Sequence, residues 1–480
     1  MSSQRNRNAP SPIKTTSPHL TPPRSTQSST QTGDESFHGT LVELSAALAI
    51  LEAVEPQRES SDSTGYDLLE VKQFESASKA DFKKDFNMKL QEVLWAFAVM
   101  FSKSRTRKHV VASVLREQTQ EDDNSKSLFT LYLTTNRGFW PNEYDEHKRK
   151  LENAANCDKT PPSLLGALWD DLTDFCFDRI EEYAEQARKC FLGIPTGEYE
   201  PTIGLESECK KTFDDIKGWC PNVYELLIEL RRDLSKDSWD QAELVNKSWE
   251  ALLALSKNSS RFPVLRSHRQ CAKRRDLILK SVENLAKVRK AYLIFAKFGK
   301  TLRQKGAHLK IELLGKTYES EAEDAIDRLI SDQNDDEMRK STERVKKAIK
   351  GQKGTLPHCE IQMLMYFSRA DKKGVWNLIG CSKRPCYACS HLLAASGFLS
   401  SKSHGKAYHQ YFSSIENWLE CEGNEASKAA IKELRRKVVE SIQGYGERKH
   451  FIPYTEPDSP VFQDWLSEDL EDLNITSLTK

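Results

Sequence analysis

Two short segments carry side chains that could bind one metal ion. The first is Pro357-His358-Cys359-Glu360, and the second, 24 residues further on, is Pro385-Cys386-Tyr387-Ala388-Cys389. One imidazole and two thiolates are the nitrogen and sulfur donors that zinc prefers. Two thiolates neutralise the charge of the ion, and three protein ligands leave the fourth tetrahedral position open to water. The sequence therefore predicts an open zinc site formed by His358, Cys386 and Cys389.

Glu360 is the candidate for proton transfer at this site. Zinc lowers the pKa of a bound water to about 7, so hydroxide forms near neutral pH. In the first turn of a helix Glu360 can point into the same cavity as His358. Its carboxylate could take a proton from the water and deliver it to a base and to the departing ammonia. The pattern H-x-E followed by P-C-x-x-C is typical of zinc nucleobase deaminases.

The local sequence predicts the elements that position these residues. Proline suits the first turn of a helix, so each segment should begin one. Ile361–Phe367 and Leu392–Phe398 have helical character, and Val375–Gly380 between them is short, β-prone and bounded by glycines. The order helix, strand, helix is typical of an α/β arrangement.

The stretch from residue 356 to residue 408 resembles the OTT-like nucleic acid/nucleotide deaminases, a branch of the cytidine-deaminase-like superfamily that is widespread in fungi. The matching residues are His358 to Gln362, Ile379 to Cys389, and His404-Gly405-Lys406. The resemblance implies a three-layer α/β/α domain with a mixed sheet and one zinc ion. It also implies ligand roles for His358, Cys386 and Cys389 and an acid/base role for Glu360.

Two features depart from the superfamily pattern. Ser382-Lys383-Arg384 precedes the second segment, where many members have Glu or Ser-Pro-like residues. The superfamily also leads us to expect an upstream β-hairpin and often an asparagine that orients the substrate. Ala307–Leu314 is the strand candidate that we find upstream.

Several residues near the site have two interpretations. Cys359 or Cys381 could complete a closed, structural zinc site, although Glu360 favours the open one. Ser382 could contact substrate or cap the next helix. His404 could bind a nucleotide or be simply solvated. Lys383 and Arg384 complete the candidate substrate-binding set.

Local charge indicates the class of substrate. The chain has 71 basic and 71 acidic residues, so a protein that coats nucleic acid is excluded. Residues 345–412, however, hold eleven Lys or Arg and two acids, Glu360 and Asp371. This field favours a nucleotide or single-stranded nucleic acid substrate. The alternative is that several of these lysines lie on a solvated helix face.

The 480 residues suggest two or three domains. Residues 1–38 are rich in Ser, Thr and Pro and predict a disordered tail. Residues 39–304 show helical periodicity, as in Phe82, Phe86 and Leu90, and predict an all-helical region that could bind a protein partner. Residues 305–450 form the predicted deaminase-like zinc domain, and 451–480 an acidic tail. The predicted fold class is therefore α+β and multi-domain.

Two functions are compatible with these features. The first is a zinc-dependent hydrolytic deaminase of cytosine or adenine in a nucleotide or nucleic acid. The second is a catalytically inactive, zinc-stabilised binding or scaffold module. The sequence lacks an apolar run of about 18 residues and an export signal, and its eleven cysteines are scattered. We therefore expect an intracellular protein, cytoplasmic or nuclear, with no membrane association and reduced thiols.

Overall fold

The computed structural model describes residues 40, 41, 44, 47, 48, 77–104, 109–119, 127–136, 139, 142–157, 162–195, 204–257, 272–315, 357–369, 373–400 and 425–443. The predicted N-terminal tail, His404 and the acidic C-terminal tail lie outside these residues.

Twelve helices and five strands have described bounds. The helices are α1 Ala77–Phe86, α2 Leu90–Met100, α3 Asp145–Asn156, α4 Pro162–Phe175, α5 Phe177–Leu192, α6 Leu205–Trp219, α7 Pro221–Leu234, α8 Gln241–Lys257, α9 Ala272–Gln304, α10 Cys359–Arg369, α11 Tyr387–Ala395 and α12 Glu425–Gln443. The strands are β1 Val111–Thr119, β2 Ser127–Thr135, β3 His308–Leu313, β4 Leu378–Cys381 and β5 Leu399–Ser400.

The strands form one mixed sheet in the order β3-β2-β1-β4-β5. β1 and β2 are an antiparallel pair in which Val111 lies opposite Thr135 and Thr119 opposite Ser127. β4 is antiparallel to β1, whereas β3 runs parallel to β2 and β5 runs parallel to β4. The sheet thus joins strands that lie far apart in the chain.

Side chains alternate between the two faces of the sheet. In β1, Val111 and Leu115 belong to the core formed with α2, while Ala112 and Val114 belong to the core that contains α10 and α11. This is the period-two alternation of a strand, and both of its faces are buried. The described sheet therefore has helices on both sides.

The contact between β4 and α2 is unusually close. A Cβ added at Gly380 would lie 2.4 Å from Cβ of Leu94, so only glycine fits there. Ser113 strengthens the contact, because its hydroxyl donates to the carbonyl oxygen of Leu94 at 2.7 Å. These contacts hold the strand that leads into the second cysteine-bearing segment.

The 33-residue helix α9 is central to the helical part. It packs against α2, α3, α5 and α8. Phe97 of α2 meets Phe295 and Phe298 of α9 edge-to-face, with ring centroids 5.7 and 6.0 Å apart. One apolar core therefore joins the helices to the sheet. Among the described helices, none is both long and apolar enough to cross a membrane.

The α+β class is confirmed, but the prediction of only helices in residues 39–304 was wrong. β1 and β2 lie within that range. In β1, residues 111–115 are buried whichever face they point to and polar residues follow, so the strand shows no apolar–polar alternation. β2 does alternate, with Phe129, Leu131 and Leu133 on one face, and this strand signal was missed. These two strands form the antiparallel hairpin that the sequence analysis did not find. The strand candidate at Ala307–Leu314 corresponds to β3.

Candidate metal centre

Each predicted ligand lies at a helix N-terminus. His358 directly precedes α10, and its carbonyl oxygen accepts from the amides of Ile361 at 2.9 Å and Gln362 at 3.0 Å. Cys386 is the N-cap of α11, and its sulfur accepts from the amide of Cys389 at 3.4 Å. The predicted helix starts are confirmed, and backbone hydrogen bonds fix both ligand-bearing turns.

The three predicted ligands come together in space. Nδ1 of His358 lies 3.6 Å from Sγ of Cys386 and 3.4 Å from Sγ of Cys389. All three ligand atoms lie within 4.8 Å of one another. A tetrahedral ion with bonds of about 2.3 Å to sulfur and about 2.0 Å to nitrogen gives nitrogen–sulfur separations of about 3.5 Å. The group therefore has the dimensions needed to hold one metal ion.

The electrostatics of Cys386 suit a metal ligand. Burial alone would raise its pKa, but the hydrogen bond with Cys389 and the positive charge of His358 hold the pKa of Cys386 well below its usual range. Metals bind the thiolate rather than the thiol. The site therefore favours the form of Cys386 that a metal requires.

Glu360 is buried beside the ligands, with 3% of its surface exposed. Burial raises the pKa of its carboxyl, and the positive charge of His358 opposes that rise. Glu360 lies in the first turn of α10, two residues after His358. A raised pKa makes its carboxylate a better proton acceptor than an ordinary glutamate.

Cys359 and Cys381 do not belong to the ligand group that the described residues form. Burial raises the pKa of both thiols well above their usual range. The sulfur of Cys359 lies 3.4 Å from Oε2 of Glu360. The ligand group that the described residues form thus has three members, His358, Cys386 and Cys389.

Gln362 connects the start of α10 to the end of β2. Its amide nitrogen donates to the carbonyl oxygens of Pro357 at 2.7 Å, Thr135 at 3.0 Å and Asn136 at 3.1 Å. Oδ1 of Asn136 in turn accepts from the amide of Cys359 at 2.8 Å. The sequence analysis missed both roles. The polar Gln362 within the apolar run from Ile361 to Phe367 was the available signal.

The candidate substrate-binding residues differ in how exposed they are. Ser382 is buried, and its hydroxyl accepts from the amide of Val111 at 3.0 Å, which closes the end of the β1–β4 pair. Lys383 is exposed and Arg384 is half-buried just ahead of Cys386. His404 lies outside the described residues, and the substrate-binding role of all four stays a prediction. The half-buried Trp376 packs against the core, with its ring centroid 5.2 Å from that of Phe82.

Comparison with known proteins agrees with this site. Residues 357–413 match the model of the OTT_1508-like deaminase family. No curated protein and no solved structure matches the chain. The resemblance found in the sequence is thus confirmed for this segment, which is similar to the OTT-like deaminase family. The matched range contains His358, Glu360, Cys386 and Cys389.

Proposed function

We propose that this protein is a zinc-dependent hydrolytic deaminase that acts on cytosine or adenine in a nucleotide or nucleic acid. The observation that carries the proposal is that the ligand atoms of His358, Cys386 and Cys389 lie close enough together to bind one metal ion. The buried Glu360 lies in the adjoining helical turn. The match to a deaminase family over the same residues supports it. One nitrogen and two sulfur donors are the ligand set expected for zinc in such enzymes.

Each residue has a role in this proposal. Bound zinc would act as a Lewis acid that activates water at neutral pH. His358, Cys386 and Cys389 would hold the ion, and the helix N-termini favour the thiolate form of the cysteines. Glu360 would carry one proton of the attacking water to the ring nitrogen and the second to the amino group, which leaves as ammonia. Burial of Glu360 would keep bulk water from competing for that proton.

The local positive charge supports a phosphate-bearing substrate. Eleven basic and two acidic residues occupy 345–412, and Lys373 and Lys383 are exposed among those described. Cationic side chains attract phosphate groups by long-range electrostatics. We therefore infer that the substrate base belongs to a nucleotide or a single strand.

We further propose a reducing, intracellular location, in the cytoplasm or nucleus. Nine cysteines lie in the described part of the chain, and all are free thiols. Disulfide-rich chains are typical of oxidising compartments, and this chain is unlike them.

The test is ammonia release by the full-length chain with stoichiometric zinc. The substrates are cytidine, adenosine, their monophosphates, and single-stranded DNA and RNA oligonucleotides. We expect release from at least one substrate, and its loss in Glu360→Gln while zinc content is unchanged. The matched control is Glu229→Gln, which changes an exposed glutamate on α7. Zinc-loaded wild type that releases no ammonia from any substrate would instead support the inactive binding module.

A further inference from the structure

The first turn of α10 lacks the usual cap from the residue that precedes it. The first amides of a helix have no partner within the helix, and a side-chain oxygen of the preceding residue commonly accepts from one of them. His358 precedes α10, but its Nδ1 lies 3.6 Å from the sulfur of Cys386 and 3.4 Å from that of Cys389. The imidazole thus faces the metal-binding group, and another residue must cap the helix.

Asn136 provides that cap from a distant part of the chain. It directly follows β2, and its Oδ1 accepts from the amide of Cys359, the first residue of α10, at 2.8 Å. The two residues are 223 positions apart in sequence. This hydrogen bond therefore joins the end of β2 to the helical turn that contains Glu360 and directly follows His358.

The backbone of Asn136 is held on both sides. Its amide donates to the carbonyl oxygen of Val110 at 3.2 Å, and its carbonyl oxygen accepts from Nε2 of Gln362 at 3.1 Å. Oε1 of Gln362 accepts from the hydroxyl of Thr134 at 3.3 Å, so both ends of that side-chain amide are bonded. Asn136 is therefore fixed to the sheet, and its side chain can hold the start of α10 in one place.

We propose that Asn136 is a positioning residue that caps α10 in place of His358 and so holds His358 and Glu360 at the metal-binding group. The catalytic part of this inference rests on the proposed deaminase function. A proton carrier must stay within hydrogen-bond reach of the atoms between which it moves, and small losses of alignment are costly. Because the cap uses only Oδ1, aspartate, which retains this oxygen, should be able to replace Asn136 in this role.

Hydrogen exchange tests the cap without any activity. Mass spectrometry of the full-length chain, with fragmentation to single residues, reads the exchange of the Cys359 amide. In Asn136→Ala this amide loses its acceptor, so its exchange should be roughly 2–10-fold faster, as expected for the loss of one ordinary hydrogen bond. Asn136→Asp should keep the wild-type rate. Unchanged exchange in Asn136→Ala, or equally fast exchange in Asn136→Asp, would overturn the proposal.

Two further variants keep this experiment interpretable. Asn222→Ala, at an exposed position on α7, is the control and should leave the exchange of the Cys359 amide unchanged. Melting temperature identifies any variant that does not fold. If Asn136→Ala does not fold, Asn136→Ser replaces it, because the serine oxygen is one atom closer to the backbone and should not reach the same amide.

Kinetics at saturating zinc then test the positioning role. Loss of a residue that supports metal ligands typically costs about 10–100-fold in metal affinity or activity. Asn136→Ala should therefore lower kcat roughly tenfold with KM nearly unchanged, and Asn136→Asp should recover most of kcat. If Asn136 instead contacted the substrate through Nδ2, alanine would raise KM and aspartate would not correct the loss. That result, or equal kcat in wild type and Asn136→Ala, would contradict a positioning role.

Failure of the proposed function would look different. Zinc-loaded wild type that releases no ammonia would refute the deaminase, and hydrogen exchange would then decide the cap alone. Faster exchange in Asn136→Ala that aspartate corrects would support the cap, and the wild-type rate in Asn136→Ala would refute it. An active wild type whose kcat is unchanged in Asn136→Ala would refute the positioning role and leave the deaminase intact.

Discussion

His358 and Cys386 are 28 positions apart in the chain, yet Nδ1 of the histidine lies 3.6 Å from Sγ of the cysteine. The two residues precede different helices, α10 and α11, and β4 lies between those helices in sequence. The contact between these two side chains therefore depends on how β4 and the two helices pack together. Metal binding should therefore be lost when this packing is disrupted.

Replacing one thiol ligand should remove the metal. We expect Cys386→Ala to weaken zinc binding by more than the roughly 10–100-fold that loss of a supporting residue causes. The measurement is competition with a zinc-chelating dye. The control, Cys220→Ala, removes a buried thiol from the helical part and should leave zinc affinity unchanged. Equal affinity in wild type and Cys386→Ala would argue against the ligand assignment.

Removing the metal should destabilise the fold. A ligand present at 100 times its Kd stabilises the native state by about 2.7 kcal/mol. Chelation should therefore lower Tm for wild type, and saturation with zinc should restore it. In Cys386→Ala the chelator should have little effect on Tm. A wild-type Tm that does not respond to chelation would contradict this prediction.

Gln362 should be important for stability although it binds no ligand. Gln362→Ala removes three donated hydrogen bonds and leaves buried carbonyl oxygens without that donor. An unsatisfied buried polar group costs about 1–3 kcal/mol. We expect urea unfolding to show a loss of stability of at least this size. Asn222→Ala, on the exposed side of α7, is the control and should change stability little.

Two glycines should respond in opposite directions to alanine. At Gly380 the new Cβ would lie 2.4 Å from Leu94, so Gly380→Ala should destabilise by about 1–3 kcal/mol or more through overpacking. In α4, a Cβ at Gly166 would meet no atom within 4 Å. Gly166→Ala should stabilise by about 0.5–1 kcal/mol because alanine suits a helix better. Denaturant unfolding of both variants tests the packing of β4 on α2, and equal effects would contradict it.

Lys290 should make stability depend on pH. Burial in the contact between α2 and α9 lowers the pKa of Lys290 from 10.5 to about 7, and its ammonium lies 5.2 Å from the ring of Trp95. Between these pH values the unfolded chain binds the extra proton, so stability rises with pH by up to about 1.4 kcal/mol per pH unit.

The measurement is unfolding of wild type and Lys290→Met from pH 7 to pH 10. The stability difference, wild type minus variant, should grow with pH. Lys300→Met, at an exposed position on α9, should show no such trend. A pH-independent difference for Lys290→Met would mean that the ammonium is not buried in solution.

Sequence reasoning succeeded where the signal was local. The spacing of His358, Cys386 and Cys389, each beside a proline or a helix start, was enough to predict the ligand group. The three- and four-residue steps at Phe82, Phe86 and Leu90 predicted helix, and these residues lie in α1 and α2. These features depend on residues within one or two turns of each other.

Sequence reasoning failed where distant segments meet. In β1, residues 111–115 are buried on both faces, so that strand lacks the alternation that marks one, whereas β2 has it at Phe129, Leu131 and Leu133 and could have been found. Gln362 and Asn136 bond across a separation of 226 residues, and no local pattern indicates such a pair.

The most direct test of the account is X-ray absorption at the zinc edge of the purified full-length chain. We predict one zinc per chain, bound by two sulfur atoms at about 2.3 Å and two lighter atoms at about 2.0 Å. One light atom is the imidazole nitrogen, and the other comes from outside the protein. Three or four sulfur neighbours, or a chain that binds no zinc, would contradict the open three-ligand site.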